Sequence, residues 1–311
     1  MPEQKKKYRL VTRSDFDGLA CAVLLNKLEL IGEIKFVHPK DVQDGKIDLT
    51  DGDITTNLPY VPGVHLAFDH HSSELLRVDS DQPNYIISPT APSTARVVFD
   101  YFGGQDKFSD TYDEMLAATD KADSARYSIE DVLHPGGWVL LSFITDPRSG
   151  LGRFKAFQIS NFDLMMEMIS YCEAHTIDEI MELPAVKERS GLYFEQQAAF
   201  QAQLQRCAVL HKNLVVLDLR HEEIIYAGNR FIVYALFPES DLSMHVIWGV
   251  KKQNVVFAVG KSIFNRMADV NIGALMLNYG GGGHVNAGTC QIDIDKAEAI
   301  RQELIAALTA G

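Results

Sequence analysis

The chain has 311 residues, 46% hydrophobic and 23% charged, with a formal net charge of −13. This composition is that of a soluble globular protein, long enough for about two domains with a core in each, and no apolar run reaches the roughly 18 residues that span a bilayer. The acidic balance excludes broad binding to long nucleic acid, which needs a basic surface to displace counterions. A few local cations can still make one pocket positive for a small phosphorylated substrate.

Cys21, Cys172, Cys207 and Cys290 are scattered without a CxxC pair, which reads as reduced thiols rather than a disulfide framework or a cysteine zinc site. The N-terminal MPEQKKKYRL carries lysines with no apolar segment behind them, so a cytoplasmic location and no membrane association are expected.

Along the chain, Tyr8 to Thr12 reads as a strand running into Arg13-Ser14-Asp15-Phe16-Asp17-Gly18, and the next segment has helical apolar spacing up to Gly32. A turn after a strand is where α/β sheets place active sites. Two carboxylates two residues apart offer hard oxygen ligands to Mg or Mn. An acidic helix N-cap accounts equally for one of them. Residues 34–38, 53–57 and 65–68 read as further strands, with Asn57 at the end of its strand. The last of these delivers Asp69, His70 and His71 into the polar stretch HLAFDHHSSE, residues 65–74, where two imidazoles beside a carboxylate suit a metal.

Residues 93–102 predict a capped amphipathic helix ended by Gly103-Gly104, and about 109–118 another that leads to Asp120 and Asp123. Either carboxylate suits a metal, and each alone also reads as a solvated helix end. Arg148 and Arg153, set among glycines after the apolar run GGWVLLSFI, suit phosphate oxygens, as a plain surface loop also would. Residues 162–175 and about 185–211 predict helices, the second a connector. From Leu214 strands are expected in NLVVLDL, RFIVYALF, MHVIWGV and VVFAVGKSI. A helix over 272–279 then enters Gly280-Gly281-Gly282-Gly283-His284, and a strand TCQIDI and a helix over 296–308 close the chain. Four successive glycines suit main-chain N–H groups wrapped around an anion, with His284 as an added donor.

In this order, Ser14-Asp15-Phe16-Asp17-Gly18, Asp69-His70-His71, the Asp120–Asp123 segment and Gly280 to His284 resemble the DHH phosphoesterase superfamily over essentially the whole chain. The resemblance implies an α/β fold: a parallel-sheet DHH domain (1–184), a helical connector (185–213) and a smaller DHH-associated α/β domain (214–311), with the active-site cleft between the domains. It implies a metal-dependent phosphohydrolase that uses one or two ions, usually Mn2+, with Mg2+ and Co2+ as alternatives. The substrate would be small: a short oligonucleotide, a nucleoside bisphosphate, a cyclic dinucleotide or polyphosphate. The group includes nanoRNases and exopolyphosphatase-related proteins, and homodimers occur in it.

Carried over by position, Asp15, Asp17, Asn57, His70 and Asp120 or Asp123 resemble metal ligands, with Asp120 the better match. Asp17, Asp69, His70 and His71 resemble the catalytic group. Gly281, Gly282, Gly283 and His284 resemble substrate-binding positions, with Arg266 and Lys261 as charge partners; Arg148, from its own setting, and Arg13 are expected to bind substrate phosphate as well. Two departures stand out: Val11 and Arg13 occupy positions where the family places a His or an acidic residue, and Asn57 stands for an Asp, with Asp53 four residues earlier. Both weaken the same metal position, so one tightly bound ion is expected, with a second held weakly, bound only with substrate phosphate present, or replaced by Arg13. The alternative is a catalytically impaired nucleotide-binding regulator on the same fold.

Overall fold

Alternating strand and helix signals in the first half of the chain produce an all-parallel sheet. The computed structural model describes residues 6–71, 74–75, 77–78, 81–154 and 157–310; residues 1–5 of the lysine-bearing N-terminus and Ser72 and Ser73 of the His-His stretch lie outside the described residues. The sheet strands are β1 (Tyr8–Arg13), β2 (Ile31–Val37), β3 (Asp53–Thr56), β4 (Leu66–Asp69) and β5 (Tyr85–Ile87). Their spatial order is β2-β1-β3-β4-β5. Helices α1 (Phe16–Lys27) and α2 (Pro39–Gln43) connect the first strands, and α3 (Thr94–Tyr101) and α4 (Asp113–Asp123) follow the last. Helix α1 is buried continuously from Phe16 to Leu25, as expected of a helix apolar on every side, and it packs on α3, α4 and α7 (Asn161–Ala174).

The chain divides into two compact units, one running through Arg126 and then Pro135–Gly191, the other made of Tyr127–His134 and the chain from Leu192 onward. The first also holds α6 (Gly137–Thr145), which follows α5 (Ile129–Leu133) of the second, and α8 (Ile177–Glu182). The boundary at Gly191 falls inside α9 (Pro184–Cys207).

The second unit carries β6 (Ala208–His211), β7 (Leu214–Asp218), α10 (Ile232–Leu236), β8 (Leu242–Trp248), β9 (Val255–Lys261), α11 (Ile272–Leu277), β10 (Gly282–His284), β11 (Ala287–Ile292) and α12 (Ala297–Leu308). Its six-stranded sheet has the order β10-β11-β9-β8-β7-β6. Only the β7/β8 pair is parallel. Val216, Met244, Val246, Phe257 and Val259 of the sheet pack with Ile272, Met276, Leu304 and Leu308 of the helices.

Three expected elements differ. RFIVYALF forms helix α10 rather than a strand, because a short apolar run suits either state; Asn229 decides it by accepting a hydrogen bond from Phe231 N at 2.9 Å while donating to Val132 O. The helix expected to reach His211 stops at Cys207, because residues 208–211 pair with β7 across the two-residue turn Lys212-Asn213, with Lys212 at φ 55°. The helix expected over 109–118 starts at Asp113 after a 3-10 turn and runs on to Asp123. Asp120 and Asp123 therefore lie in its last turn. Among the described residues no helix is long and apolar enough to cross a membrane.

His245 on β8 is half-buried, and burial together with the Arg230 charge pushes its pKa down to about 4. The unfolded chain binds that proton near pH 6.5, so stability is lost as pH falls from about 6.5 toward 4. The loss amounts to roughly 1–3 kcal/mol at ~1.4 kcal/mol per pKa unit, reduced for partial exposure. Urea midpoints at pH 7 and pH 4.5 should diverge more in the wild type than in His245→Gln.

Candidate metal centre

A sheet ordered 2-1-3-4-5 reverses direction between its first and third strands, and the crevice outside the carboxyl ends there is the expected ligand site. Thr12 of β1 lies opposite Thr56 of β3, and Thr56 opposite Phe68 of β4. Next in line are Arg13 and Asp69, the last residues of β1 and β4, and Asn57, the first residue after β3. At the first turn, a Cβ on Gly18 would clash with the carbonyl oxygen of Arg13, so only glycine lets α1 fold back this tightly.

Asp17, His70 and Asp123 converge, each offering one ligand atom within 4.8 Å of the others. Asp17 Oδ2 accepts from Thr94 N at 3.0 Å and Oδ1 from Ala95 N at 2.8 Å, so the first turn of α3 fixes both its oxygens. Burial, and then the neighbouring Asp123, hold its carboxyl above the usual carboxylate range. His70 Nδ1 lies 3.1 Å from Ala91 O and donates to it, which directs the Nε2 lone pair toward the carboxylates. Nε2 is 2.7 Å from Asp123 Oδ2, yet it is buried without a hydrogen bond of acceptable geometry.

The pocket demands positive charge. Burial favours neutral His70, but Asp123 and Asp17 outweigh it and raise the imidazole to about 9. Burial likewise opposes ionised Asp123, and His70, His71 and Arg13 overcome it to hold the carboxyl low. A divalent cation answers the same demand by taking the Nε2 lone pair and one oxygen from each carboxylate. The donor set therefore fits Mg, Mn or another first-row ion.

Asp69 does a different job. Its buried Oδ1 accepts from His70 N at 2.8 Å and His71 N at 3.3 Å, and His71 Nδ1 lies 2.6 Å from it. Tyr85 donates to Oδ2 at 3.4 Å. Asp69 thus fixes the turn and the His71 ring. Asp120, the better family match for a ligand, is not in the gathering. Ser93 donates to its Oδ1 at 2.7 Å, and Arg96 holds Oδ2 through Nε at 3.0 Å and a terminal nitrogen at 2.5 Å. Three residues on, less than one turn further along α4, Asp123 reaches the cluster instead.

Asp15 caps α1, accepting from Gly18 N at 3.0 Å, and the helix-cap reading of this residue matches that geometry. Asn57 Nδ2 donates to the same oxygen at 3.2 Å, and Arg13 Nε meets the other at 2.9 Å. Asn57 adopts φ 56° and is buried, with Oδ1 lacking any hydrogen-bond partner. Asp53 sits at the opposite, amino end of β3, paired with Arg9 at 2.6 Å. Arg148 pairs with Asp146 at 2.8 Å, and its charge favours ionised Asp15.

The remaining positions expected to bind substrate belong to the second unit. Gly281 lies against Thr289 O and Cys290, and Gly283, at φ 153°, against Ala287 O, so both are small because β10 packs closely on β11. Gly282 has nothing within 4 Å of its Cβ position. His284 ends β10 opposite Ala287, and Arg266 Nε donates to Ile263 O at 3.2 Å.

No protein-family model matches the chain, and no curated protein sequence does. Among solved structures, it is 55% identical to the pGpG-specific phosphodiesterase PggH of Vibrio cholerae, over 98% of this chain and 99% of that one, with a TM-score of 0.83. The chain belongs to the DHH phosphoesterase superfamily. RecJ of Thermus thermophilus in complex with Mn2+ shares the fold at 14% identity and a TM-score of 0.54, covering 99% of this chain and 53% of that one. Its Mg2+ complex matches at 17% and 0.51, over 99% and 50%.

This DHH phosphoesterase is a phosphohydrolase. Sequence reasoning did not find the groups that hold its site residues in place: Ala91 O on His70, the Thr94 and Ala95 amides on Asp17, and Ser93 and Arg96 on Asp120. The first three are main-chain atoms, which carry no residue-type signal; of the last pair, Ser93 showed only as a helix cap and Arg96 not at all.

Asp123→Asn should abolish Mn2+ retention after desalting, measured by elemental analysis. Asp120→Asn should retain the ion and instead lose about 1.5–3 kcal/mol of stability with its charged hydrogen bonds, read by urea denaturation. Loss of the ion in the Asp120 variant alone would reverse the assignment.

Proposed function

We propose that this DHH phosphoesterase hydrolyses pGpG, a linear guanine dinucleotide with a 5′ phosphate, into two nucleoside monophosphates, with Mn2+ or Mg2+ held by Asp17, His70 and Asp123. The observation that carries this reading is 55% identity to a pGpG-specific phosphodiesterase along essentially the full length of both chains. The net charge of −13 supports a substrate of this size over a long strand.

When bound, the cation lowers the pKa of the attacking water and withdraws charge from the phosphate. The rest falls to the protein. Asp69 grips His71 at Nδ1, which leaves Nε2 as the nitrogen that passes a proton to the departing 3′ oxygen. Arg13, anchored on Asp15, binds a phosphate oxygen beside the group. Arg148, whose charge reaches Asp15, adds positive charge for a second phosphate oxygen. Of the glycines expected to cradle an anion, Gly280 is accounted for by its φ of 70°, and Gly282 is the one that neither backbone conformation nor internal packing explains. It supports main-chain approach to a phosphate there, with His284 as neighbouring donor.

The test is product release from pGpG, a cyclic dinucleotide, a nucleoside bisphosphate and polyphosphate, each with Mn2+, Mg2+ and Co2+. pGpG should be turned over at least 100-fold faster than the others. Chelator, and the double change His70→Ala with His71→Ala, should each abolish turnover. A faster reaction with polyphosphate or the bisphosphate would overturn the substrate assignment.

A further inference from the structure

Asp15 and Asp17 lie two residues apart in one turn, yet their surroundings differ in kind. Asp17 faces Asp123 and the His70 lone pair, a net negative group without a cationic side chain in its gathering. Asp15 is saturated. Gly18 N and Asn57 Nδ2 donate to Oδ1, and the Arg13 guanidinium meets Oδ2 at 2.9 Å, which uses three of the roughly four lone-pair directions a carboxylate offers.

Arg13 also cancels the charge of Asp15. Val11, two residues before Arg13, is fully buried in an apolar cluster with Val42 and Leu58, and Asn57 brings a neutral amide to Asp15. A second divalent ion here would meet no net negative charge, while an ion at Asp17 and the guanidinium itself would both repel it. The buried Oδ1 of Asn57 has no partner of its own; a neutral carbonyl oxygen alone does not compensate for stripping water from a divalent ion.

We infer that this chain holds a single divalent ion, at Asp17, His70 and Asp123, and that the Arg13 guanidinium, clamped on Asp15, does the work of a second cation on the substrate phosphate. The inference rests on the proposed reading of that group as a cation site. A guanidinium is suited to the role because its charge is permanent and its planar fork matches two phosphate oxygens. Arg13 keeps part of its side chain, 31%, open to solvent while its partner Asp15 is 10% exposed, so it is anchored below and accessible above.

Two measurements test this without relying on turnover. In the first, the protein is equilibrated with excess Mn2+, desalted and analysed for manganese. One ion per chain is expected, and also one in Arg13→Gln. Two tightly held ions in the wild type would overturn this inference alone; none would overturn it together with the cation reading of the site. In the second, pGpG binding is titrated calorimetrically in chelator, with no divalent ion present. Arg13→Gln should weaken binding at least tenfold, and Arg13→Lys, which keeps the charge but lacks the fork, should not restore it. Equal affinity in wild type and Arg13→Gln would sink the role of Arg13, whatever the manganese count.

Discussion

Two carboxylates, the buried Asp17 and the solvent-facing Asp123, face one imidazole nitrogen, all within 4.8 Å of one another. Like charges this close oppose each other's ionisation unless something positive sits among them. Much of the first unit serves to hold the three groups there regardless. The amino end of α3 grips both oxygens of Asp17, the Ala91 carbonyl sets the tautomer of His70, and the final turn of α4 brings in Asp123. The resulting pull on positive charge comes from this placement of side chains, and a protonated His70 or a cation would each answer it.

Each of these groups comes from a different strand or helix end, and the parallel sheet makes that convergence possible. Parallel pairing puts the carboxyl ends of β1, β3 and β4 side by side, so turns far apart in sequence emerge at one edge. Helix α1, buried along ten consecutive residues, anchors the first turn from below. Gly18 is required because α1 presses so closely on the end of β1 that a side chain would strike the backbone. Catalytic geometry here therefore depends on the core: a cavity under α1 would loosen the turn bearing Asp15 and Asp17.

Neighbouring acids were sorted into separate duties by what surrounds each. Asp69 orients His71, Asp120 ties α4 to Arg96 and Ser93, Asp53 closes the far end of β3 with Arg9, and Asp15 is neutralised by Arg13. Of the acids at this edge among the described residues, Asp17 and Asp123 have no arginine or lysine ion pair; His70 contacts Asp123, and the charges of His71 and Arg13 reach it from further away. The same sorting applies to the glycines after α11. Packing against β11 accounts for Gly281 and Gly283 and leaves Gly282 as the position whose smallness has no internal cause.

The sequence alone carried the strand-turn-helix alternation, the D-x-D-G turn, the Asp-His-His stretch and the glycine run, because hydrophobic period and turn chemistry are local properties. From these the fold class and superfamily were legible. Local signals failed where partners were distant. RFIVYALF became a helix because Asn229 is held to Val132, 97 residues away, and residues 208–211 became a strand because β7 offered a partner. Helical phase alone left Asp120 and Asp123 indistinguishable. Which one reaches His70 was decided by Arg96, 24 residues upstream, which occupies the first and leaves the second. Residue types are written in the chain, but the charge that each carboxylate meets is fixed only when the elements pack.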